Sequence, residues 1–272
     1  MQVFNTKQKL KRENPMLLTM QPLWLSAVLV VVLPTLVAML GPVVVRRSID
    51  LPRLTTNNEV AGFKFATVGV LYAVLLAFAV IVVWEKFSDA ETHVAQEAGA
   101  AAAIYRLAPG LGAEPGAALG EATTRYLKAV IGSDWPAMEQ GKASPVATGM
   151  LNDLYARLLL YSPQDSRGAA VLTEILHQLD VVTEARRGRL AMASGIVPGI
   201  IWIVLFGGAS VTVGFTFFFG TANLRAQALM TGALSLLIFS GLLIIIVIDH
   251  PFAGAVKVGP EALTAVVEDL GK

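Results

Sequence analysis

Four long stretches of the sequence contain no Asp, Glu, Lys or Arg, and they restrict the possible folds more than any other feature. A helix of about 20 apolar residues crosses a hydrocarbon core of about 30 Å. Only 15% of all residues are charged, well below the roughly 25% usual for soluble domains. The sequence therefore predicts a membrane protein with four transmembrane helices, at 23–45, 65–84, 196–219 and 226–248.

Most charged residues lie between the second and third stretches, in a segment with helical spacing of apolar residues and no competing strand pattern. We therefore predict an all-α polytopic membrane protein with a helical region between spans two and three. The predicted divisions are a basic N-terminal tail (1–20), spans one and two (21–84), a soluble helical region (85–195), spans three and four (196–250) and a C-terminal tail (251–272).

An even number of spans places both termini and the central region on the same side of the bilayer. The basic N-terminal tail favours the cytoplasm, whereas Arg46, Arg47 and Arg53 in the first loop favour the opposite orientation. We predict a multi-pass protein of the cell membrane with cytoplasmic termini and a cytoplasmic central region.

The second span continues into charged sequence, IVVWEKFSDAETHVAQEA (81–98), without a proline or glycine that would end the helix. A helix from Phe63 to Ala108 would measure about 70 Å, because each residue adds about 1.5 Å. It would extend well beyond the hydrocarbon core and enter the soluble region.

One face of this helix is ionisable at both ends and apolar in the middle, with members spaced alternately by three and four residues. Copies of this face around an axis would form a tube with a hydrophobic constriction, the arrangement of pores that gate by dewetting. The alternative is a packing seam whose terminal charges reach the two membrane interfaces. The predicted pore-lining residues are Lys64, Thr67, Leu71, Val74, Phe78, Ile81 and Glu85.

The third span is rich in glycine and the fourth ends in polar residues. Small residues allow helices to pack closely, and a proline invites a kink, so the third span is either a packing element or a hinge. The fourth span is predicted to end in an interface cap, with sensing of pH as the alternative role of its histidine. The packing or hinge positions are Gly195, Pro198, Gly199, Gly207 and Gly208, and the cap consists of Asp249, His250 and Pro251.

Several function classes find no support in the sequence. The absence of cysteine excludes disulfides and thiolate metal sites, and a net charge of +1 does not favour nucleic acid as a partner. Two pairs, His93 with Glu97 and Glu174 with His177, have metal-ligand spacing, but carboxylate bundles require more ligands than these pairs provide. No nucleotide-binding or hydrolase motif is present. We predict no enzymatic activity, no metal and no cofactor.

Four short groups of residues lie in a defined order on the two-plus-two arrangement of spans. These groups are Trp84, Ala90, Glu97 and Ala98; Tyr126, Trp135 and Pro136; Arg189, Pro198 and Trp202; and Asp249, Pro251, Phe252 and Gly254. In their order and spacing, the chain resembles the bestrophin-like membrane proteins of bacteria and plants over about residues 20–260.

The resemblance implies a pentameric anion channel in which the second span lines a pore with a hydrophobic neck. The acidic calcium clasp of animal bestrophins has no counterpart here, so calcium gating is not implied. We predict an oligomeric, chloride-conducting channel that assembles as a ring in the lipid bilayer. The alternative is a non-conducting scaffold that presents a cytoplasmic helical surface to a partner.

Overall fold

The computed structural model describes residues 21–271, and every regular element in this range is a helix. The all-α fold predicted from the apolar stretches is confirmed, whereas the predicted basic tail (1–20) lies outside the described residues. The helices are α1 (Leu23–Ser48), α2 (Leu51–Thr55), α3 (Asn58–Leu107), α4 (Ala113–Ala129), α5 (Trp135–Met138), α6 (Pro145–Leu160), α7 (Ser166–Met192), α8 (Gly199–Phe215), α9 (Leu224–Ile248) and α10 (Glu261–Leu270).

The described residues form two compact units. The membrane unit contains the residues up to Glu85 together with Ile196–Asp249, and the helical unit contains Lys86–Gly195 together with the residues from His250 onward. Helix α3 supplies its first part to the membrane unit and its second part to the helical unit.

Four helices of the described chain are long and apolar enough to cross a membrane: α1, the apolar part of α3, α8 with the short turn after it, and α9. Helices α1, α3 and α9 each contain the whole of the corresponding predicted stretch. The third span, α8, begins at Gly199 instead of residue 196, because Pro198 has extended backbone (φ −58°, ψ 142°) directly before the helix. Pro198 therefore precedes this span and does not kink it.

Helix α1 packs closely in the membrane unit at two glycines. A Cβ atom on Gly41 would lie 2.5 Å from the ring of Phe217, and one on Gly232 would lie 2.9 Å from the side chain of Met39. Such short separations leave no room for a side chain, so glycine sets how closely α1 approaches α9 and the turn after α8. Helix α1 also contains a π turn, Val28–Val32, just before Pro34, which has no N–H to donate.

Helix α3 has 50 residues and extends about 75 Å at 1.5 Å per residue. Its sequence contains no proline, and its only glycine beyond the apolar part, Gly99, does not interrupt it. The helix passes into a short 3₁₀ turn, Ala108–Leu111, and the chain reverses at Gly112, whose φ of +109° favours glycine. The predicted long helix is confirmed.

The helical unit buries the apolar faces of α4, α6 and α7. Tyr126, Leu154 and Leu179 are examples of buried residues that the helical spacing placed on these faces. Two of these helices have side-chain caps: the Ser144 hydroxyl accepts from the N–H of Val146 before α6, and the Asp165 carboxylate accepts from the N–H of Gly168 at 2.6 Å before α7.

Two short helical parts of this unit were not predicted from the sequence. The segment around Trp135 forms a π turn (Val130–Asp134) followed by α5. The predicted C-terminal tail contains helix α10, which buries Leu263 completely. Contacts with the rest of the unit stabilise these short helices, since Trp135, Met138 and Leu263 are buried.

Candidate functional site

The seven predicted pore-lining residues of α3 form a continuous exposed face on the membrane unit, which we call the α3 row. In the apolar middle, Leu71 is 67% exposed and Phe78 is 64% exposed. Such large apolar side chains, exposed on an isolated chain, require a bilayer or another copy of the protein to cover them. The single chain therefore leaves the whole row available for contacts beyond itself.

The opposite side of α3 is held against α8. Tyr72 is buried, and its hydroxyl donates to the backbone oxygen of Leu205 at 3.1 Å. A Cβ atom on Gly208 would lie 2.5 Å from Cδ2 of Tyr72, so glycine is needed for the ring to reach α8. This contact fixes the rotation of α3 and leaves the α3 row facing outward.

An apolar groove of about 310 Å³ lies beside the row, between α3 and the segment that leads into α8. Phe78 belongs both to the row and to this groove, and Pro198 and Ile201 line the other wall. The side chain of Phe78 therefore lies at the border between this groove and the exposed face of the α3 row.

The predicted packing or hinge positions have different environments. Gly208 packs against Tyr72, whereas a Cβ on Gly207 or Gly199 would meet no atom within 4 Å. Gly195 has φ of +94°, the left-handed region that favours glycine, and it lies in the bend before α8. Close packing within the chain thus involves Gly208, and Gly207 and Gly199 lie at open surface.

The predicted interface cap contains a buried carboxylate. Oδ1 of Asp249 accepts hydrogen bonds from the N–H groups of Ile196 and Val197, at 3.1 and 2.7 Å. The backbone oxygen of Asp249 also accepts from the N–H of Ile196 at 3.0 Å. Asp249 therefore ties the end of α9 to the segment before α8. In the helical unit, the backbone oxygen of His250 accepts a hydrogen bond from the N–H of Ala253, and that of Pro251 accepts one from the N–H of Val258.

The helical unit contains a buried network of four charged side chains. Arg189 of α7 forms a bidentate pair with Glu97 of α3, at 2.8 and 3.1 Å, and its Nη2 also donates to Asp134 at 3.2 Å. Arg186, one turn earlier on α7, forms a second bidentate pair with Asp134, at 2.8 and 3.1 Å. Both carboxylates and Arg189 are fully buried, so the two arginines neutralise two carboxylates out of contact with water.

Neighbouring polar and aromatic groups complete this network, which we call the ion network. The hydroxyl of Tyr126 donates to Glu97 at 2.6 Å, and the N–H of Ser144 donates to Asp134 at 2.8 Å. The guanidinium of Arg189 lies over the Trp135 ring at 4.8 Å, a cation–π contact. Thr148 accepts a further hydrogen bond from Arg186 at 3.0 Å.

Burial and charge shift two pKa values in the ion network. Burial, with the adjacent Glu97 carboxylate, raises the pKa of Tyr126 well above its usual value, so Tyr126 remains a neutral donor. Burial alone would lower the pKa of Arg189, but Glu97 and Asp134 outweigh this effect and raise it. The network is therefore charged, balanced and hydrogen-bonded, which suits it to hold α3, α4 and α7 in register.

Sequence reasoning did not identify this network as a unit. Four of its members, Glu97, Tyr126, Trp135 and Arg189, are among the residues on which the family resemblance rests, but their mutual contact depends on tertiary structure. The available signal was an isolated Glu97 among alanines and two arginines, Arg186 and Arg189, on one face of α7.

The side chains with metal-ligand spacing are separated or already engaged. Glu97 binds Arg189, while His93 lies against Gly188 of α7. Glu174 and His177 are exposed, and Glu174 accepts a hydrogen bond from Gln178 at 2.7 Å. Residues 21–271 contain no group of three or more His, Cys, Asp or Glu side chains that could hold a metal ion.

Comparisons with known proteins give a family and a fold. The model of the family described as Bestrophin-like domain matches residues 32–263. Similar solved structures include a bacterial bestrophin homologue from Klebsiella pneumoniae, at 15% identity and TM-score 0.68, covering 88% of this chain and 97% of that one. Another, described only as a membrane protein, has 14% identity and TM-score 0.69, covering 88% of this chain and 96% of that one. No protein with a curated description matches.

Proposed function

The chain belongs to the bestrophin-like family of membrane proteins, and from this premise we propose that it is an oligomeric ion channel whose pore is lined by the α3 row. The observation that carries the proposal is the row itself. It runs along the membrane unit, is polar at both ends and apolar in the middle, and is left uncovered by the rest of the chain. Copies arranged around an axis would join these faces into one path.

The proposed gate is the apolar part of the row. Leu71, Val74, Phe78 and Ile81 offer no hydrogen bond to a passing ion, so a narrow ring of these side chains excludes water and blocks conduction. Widening the ring by a small rotation of Phe78 toward its groove would allow water to enter. The subunits form a homo-oligomeric ring, and we propose five of them.

The proposed permeant ion is an anion, with chloride as the physiological example. Lys64 places a positive charge at the end of the row that lies nearest the start of α3, and each additional copy adds another. Glu85 at the opposite end has the reverse sign and would disfavour anions if it formed the narrower rim. We therefore propose that the Lys64 rim sets the selectivity. We also propose that the termini and the region between spans two and three are cytoplasmic.

The main alternative is a non-conducting membrane scaffold. Its supporting observation is the helical unit, because the buried ion network would hold the helices in place and so give a partner a stable surface. The two functions differ in what the α3 row requires: a channel needs this face turned inward around a symmetry axis, whereas a scaffold does not.

Reconstitution into liposomes tests the proposal. We expect purified protein to form a ring with an axial hole in projection images and to pass chloride. Phe78→Ala, which removes a bulky apolar ring from the proposed constriction, should raise the flux severalfold. Leu237→Ala is the matched control, because Leu237 is 72% exposed on α9 but outside the row, and it should leave the flux unchanged. A well-ordered oligomer that passes no ion over a range of voltage and pH would favour the scaffold.

A further inference from the structure

A second groove of the membrane unit lies at the end where α1 and α8 finish and α9 begins, and we propose that it binds an anionic phospholipid. We call it the loop-side groove. It has a volume of about 440 Å³, within the range of ligand sites. Its walls include Phe65, Phe219, Met230 and Leu234, and its edge includes Asn58 and Gln227.

The apolar part of the groove is suited to a hydrocarbon chain. Phe65 packs edge-on against Phe219, with ring centres 5.6 Å apart, and also against Phe215 at 5.9 Å. These contacts hold the aromatic wall in place. Met230, at the opposite wall, is 60% exposed and provides a flexible apolar surface at the mouth. An acyl chain entering from the bilayer would therefore find a preformed apolar surface.

The polar edge of the groove is also fixed. The amide of Asn58 binds Gly220 twice, donating to its oxygen at 2.6 Å and accepting from its N–H at 2.9 Å. Gln227 is buried, and its side chain donates to the oxygen of Phe219. These bonds hold the loop after α8 against the start of α3, so the edge of the groove keeps its shape.

Positively charged residues lie on the chain segments that form this polar edge. Arg46 at the end of α1 donates to the backbone oxygen of Thr221, a groove residue, at 2.6 Å. Arg225 lies in the first turn of α9, is exposed, and is joined to no carboxylate by an ion pair within residues 21–271. Two more exposed arginines are Arg47, in the last turn of α1, and Arg53, in α2; the exposed carboxylates of Asp50 and Glu59 offset part of this charge. A phosphate group near Arg46 and Arg225 would supply the opposite charge.

The combination of an apolar groove and an arginine edge selects the occupant. A soluble anion would leave the aromatic wall exposed, and a lipid without net charge would leave the arginines unneutralised. A phospholipid with net negative charge matches both parts, because each nearby arginine contributes about 1 kcal/mol to the binding of anionic lipid.

Native mass spectrometry of the detergent-purified protein tests the site without depending on ion conduction. The probes are phosphatidylglycerol and phosphatidylcholine with the same acyl chains. We expect phosphatidylglycerol to be retained preferentially and Arg225→Gln to reduce that preference about fivefold. Arg46→Gln with Arg225→Gln should abolish it. The matched control, Lys128→Gln with Arg187→Gln, removes two exposed charges of the helical unit and should preserve it. Equal retention of both lipids, or a preference unaffected by Arg225→Gln, would overturn the proposal.

A second pair of measurements examines the apolar part of the groove. Met230→Trp should lower retention of phosphatidylglycerol by filling the mouth, and excess glycerol phosphate should compete poorly because it has no acyl chain. Competition as strong as that of the intact lipid would contradict a lipid site and indicate a site for the phosphate group alone. Since the chain has no cysteine, Met230→Cys can carry a single spin label. We expect the label to collide with oxygen dissolved in the bilayer. Protection from oxygen with dipolar broadening between copies would assign the groove to a second copy instead.

Discussion

Arg189 contacts four different side chains of the helical unit and is itself fully buried. It joins Glu97 and Asp134, donates to the sulfur of Met138 at 2.9 Å and lies over Trp135. Burying an arginine is costly unless nearly all its donors find acceptors. The network meets this requirement because Glu97, Asp134 and the sulfur of Met138 together accept hydrogen bonds from Nε, Nη1 and Nη2 of Arg189.

Replacing Arg189 should destabilise the helical unit strongly. Arg189→Met keeps an unbranched apolar stem of similar shape but leaves the Glu97 carboxylate buried without its main cation. We expect a loss of about 3–5 kcal/mol in the free energy of unfolding, seen as a large drop in the thermal midpoint in detergent.

Arg157→Gln is the matched control for Arg189→Met. It breaks a half-exposed pair with Asp153 and should cost no more than about 1 kcal/mol. Equal effects of the two substitutions would show that the ion network does not stabilise the helical unit.

Tyr126 gives the helical unit a dependence on alkaline pH. Its pKa in the folded chain lies well above 10.0, so the folded state holds this proton more tightly than the unfolded state. The resulting stabilisation is complete below about pH 10 and is lost as the pH rises toward the folded pKa. We expect the thermal midpoint of the wild type to fall more steeply above pH 10 than that of Tyr126→Phe.

Tyr155→Phe provides the comparison for this measurement. The pKa of Tyr155 is also raised, mainly by burial, but its hydroxyl lies at a more exposed position and contacts Asp180 and Thr183. We expect Tyr155→Phe to change the fall of the thermal midpoint above pH 10 less than Tyr126→Phe does. Parallel slopes for all three proteins would contradict the proposed role of Tyr126.

At the scale of the helices, adjacent glycines of α8 have opposite roles. Gly208 permits the Tyr72 ring to pack against α8, and its replacement by alanine places a Cβ 2.5 Å from that ring. We expect Gly208→Ala to cost about 1–3 kcal/mol through overpacking. Gly207→Ala introduces the same methyl group at open surface and should stabilise the helix by up to about 1 kcal/mol. The measurement is the thermal midpoint of each variant, and the opposite order would contradict the close contact of α3 with α8.

Helix position was predictable from sequence wherever one physical requirement dominated. An uncharged stretch of more than 20 residues must satisfy its backbone internally in a bilayer, which produced the four apolar helices. The continuity of α3 followed from the lack of helix-breaking residues after the second span. Helix α10 and the π turn before α5 were missed because their formation depends on contacts such as the burial of Leu263, which local spacing does not reveal.

The ion network illustrates the same limit for the candidate sites. Glu97 and Asp134 are separated from Arg186 and Arg189 by long stretches of sequence, and their pairing follows from the packing of α3, α4 and α7. The α3 row needed only helical periodicity, so its members could be identified from the sequence, whereas its role in conduction remains a proposal that depends on assembly.

For the whole molecule, the proposed channel predicts that Lys64 controls selectivity. Lys64→Glu reverses the charge at one rim once for every copy, so the effect is multiplied by assembly. We expect the ratio of chloride to sodium permeability to fall by roughly tenfold, measured as a shift of the reversal potential across a planar bilayer. The control, Lys128→Glu, makes the same change at an exposed position of the helical unit and should leave the ratio unchanged. If Lys64→Glu leaves the reversal potential unchanged, Lys64 does not lie on the permeation path.

The burial of the ion network has a consequence for how the protein responds to dissolved salt. Electrolyte weakens attraction only where its ions can approach, and the four charges of the network are out of their reach. Raising sodium chloride should thus leave the folding of the helical unit almost unaltered while it diminishes the pull of exposed arginines on acidic lipid. A salt titration can therefore distinguish the buried charges of the ion network from the exposed arginines of the same chain.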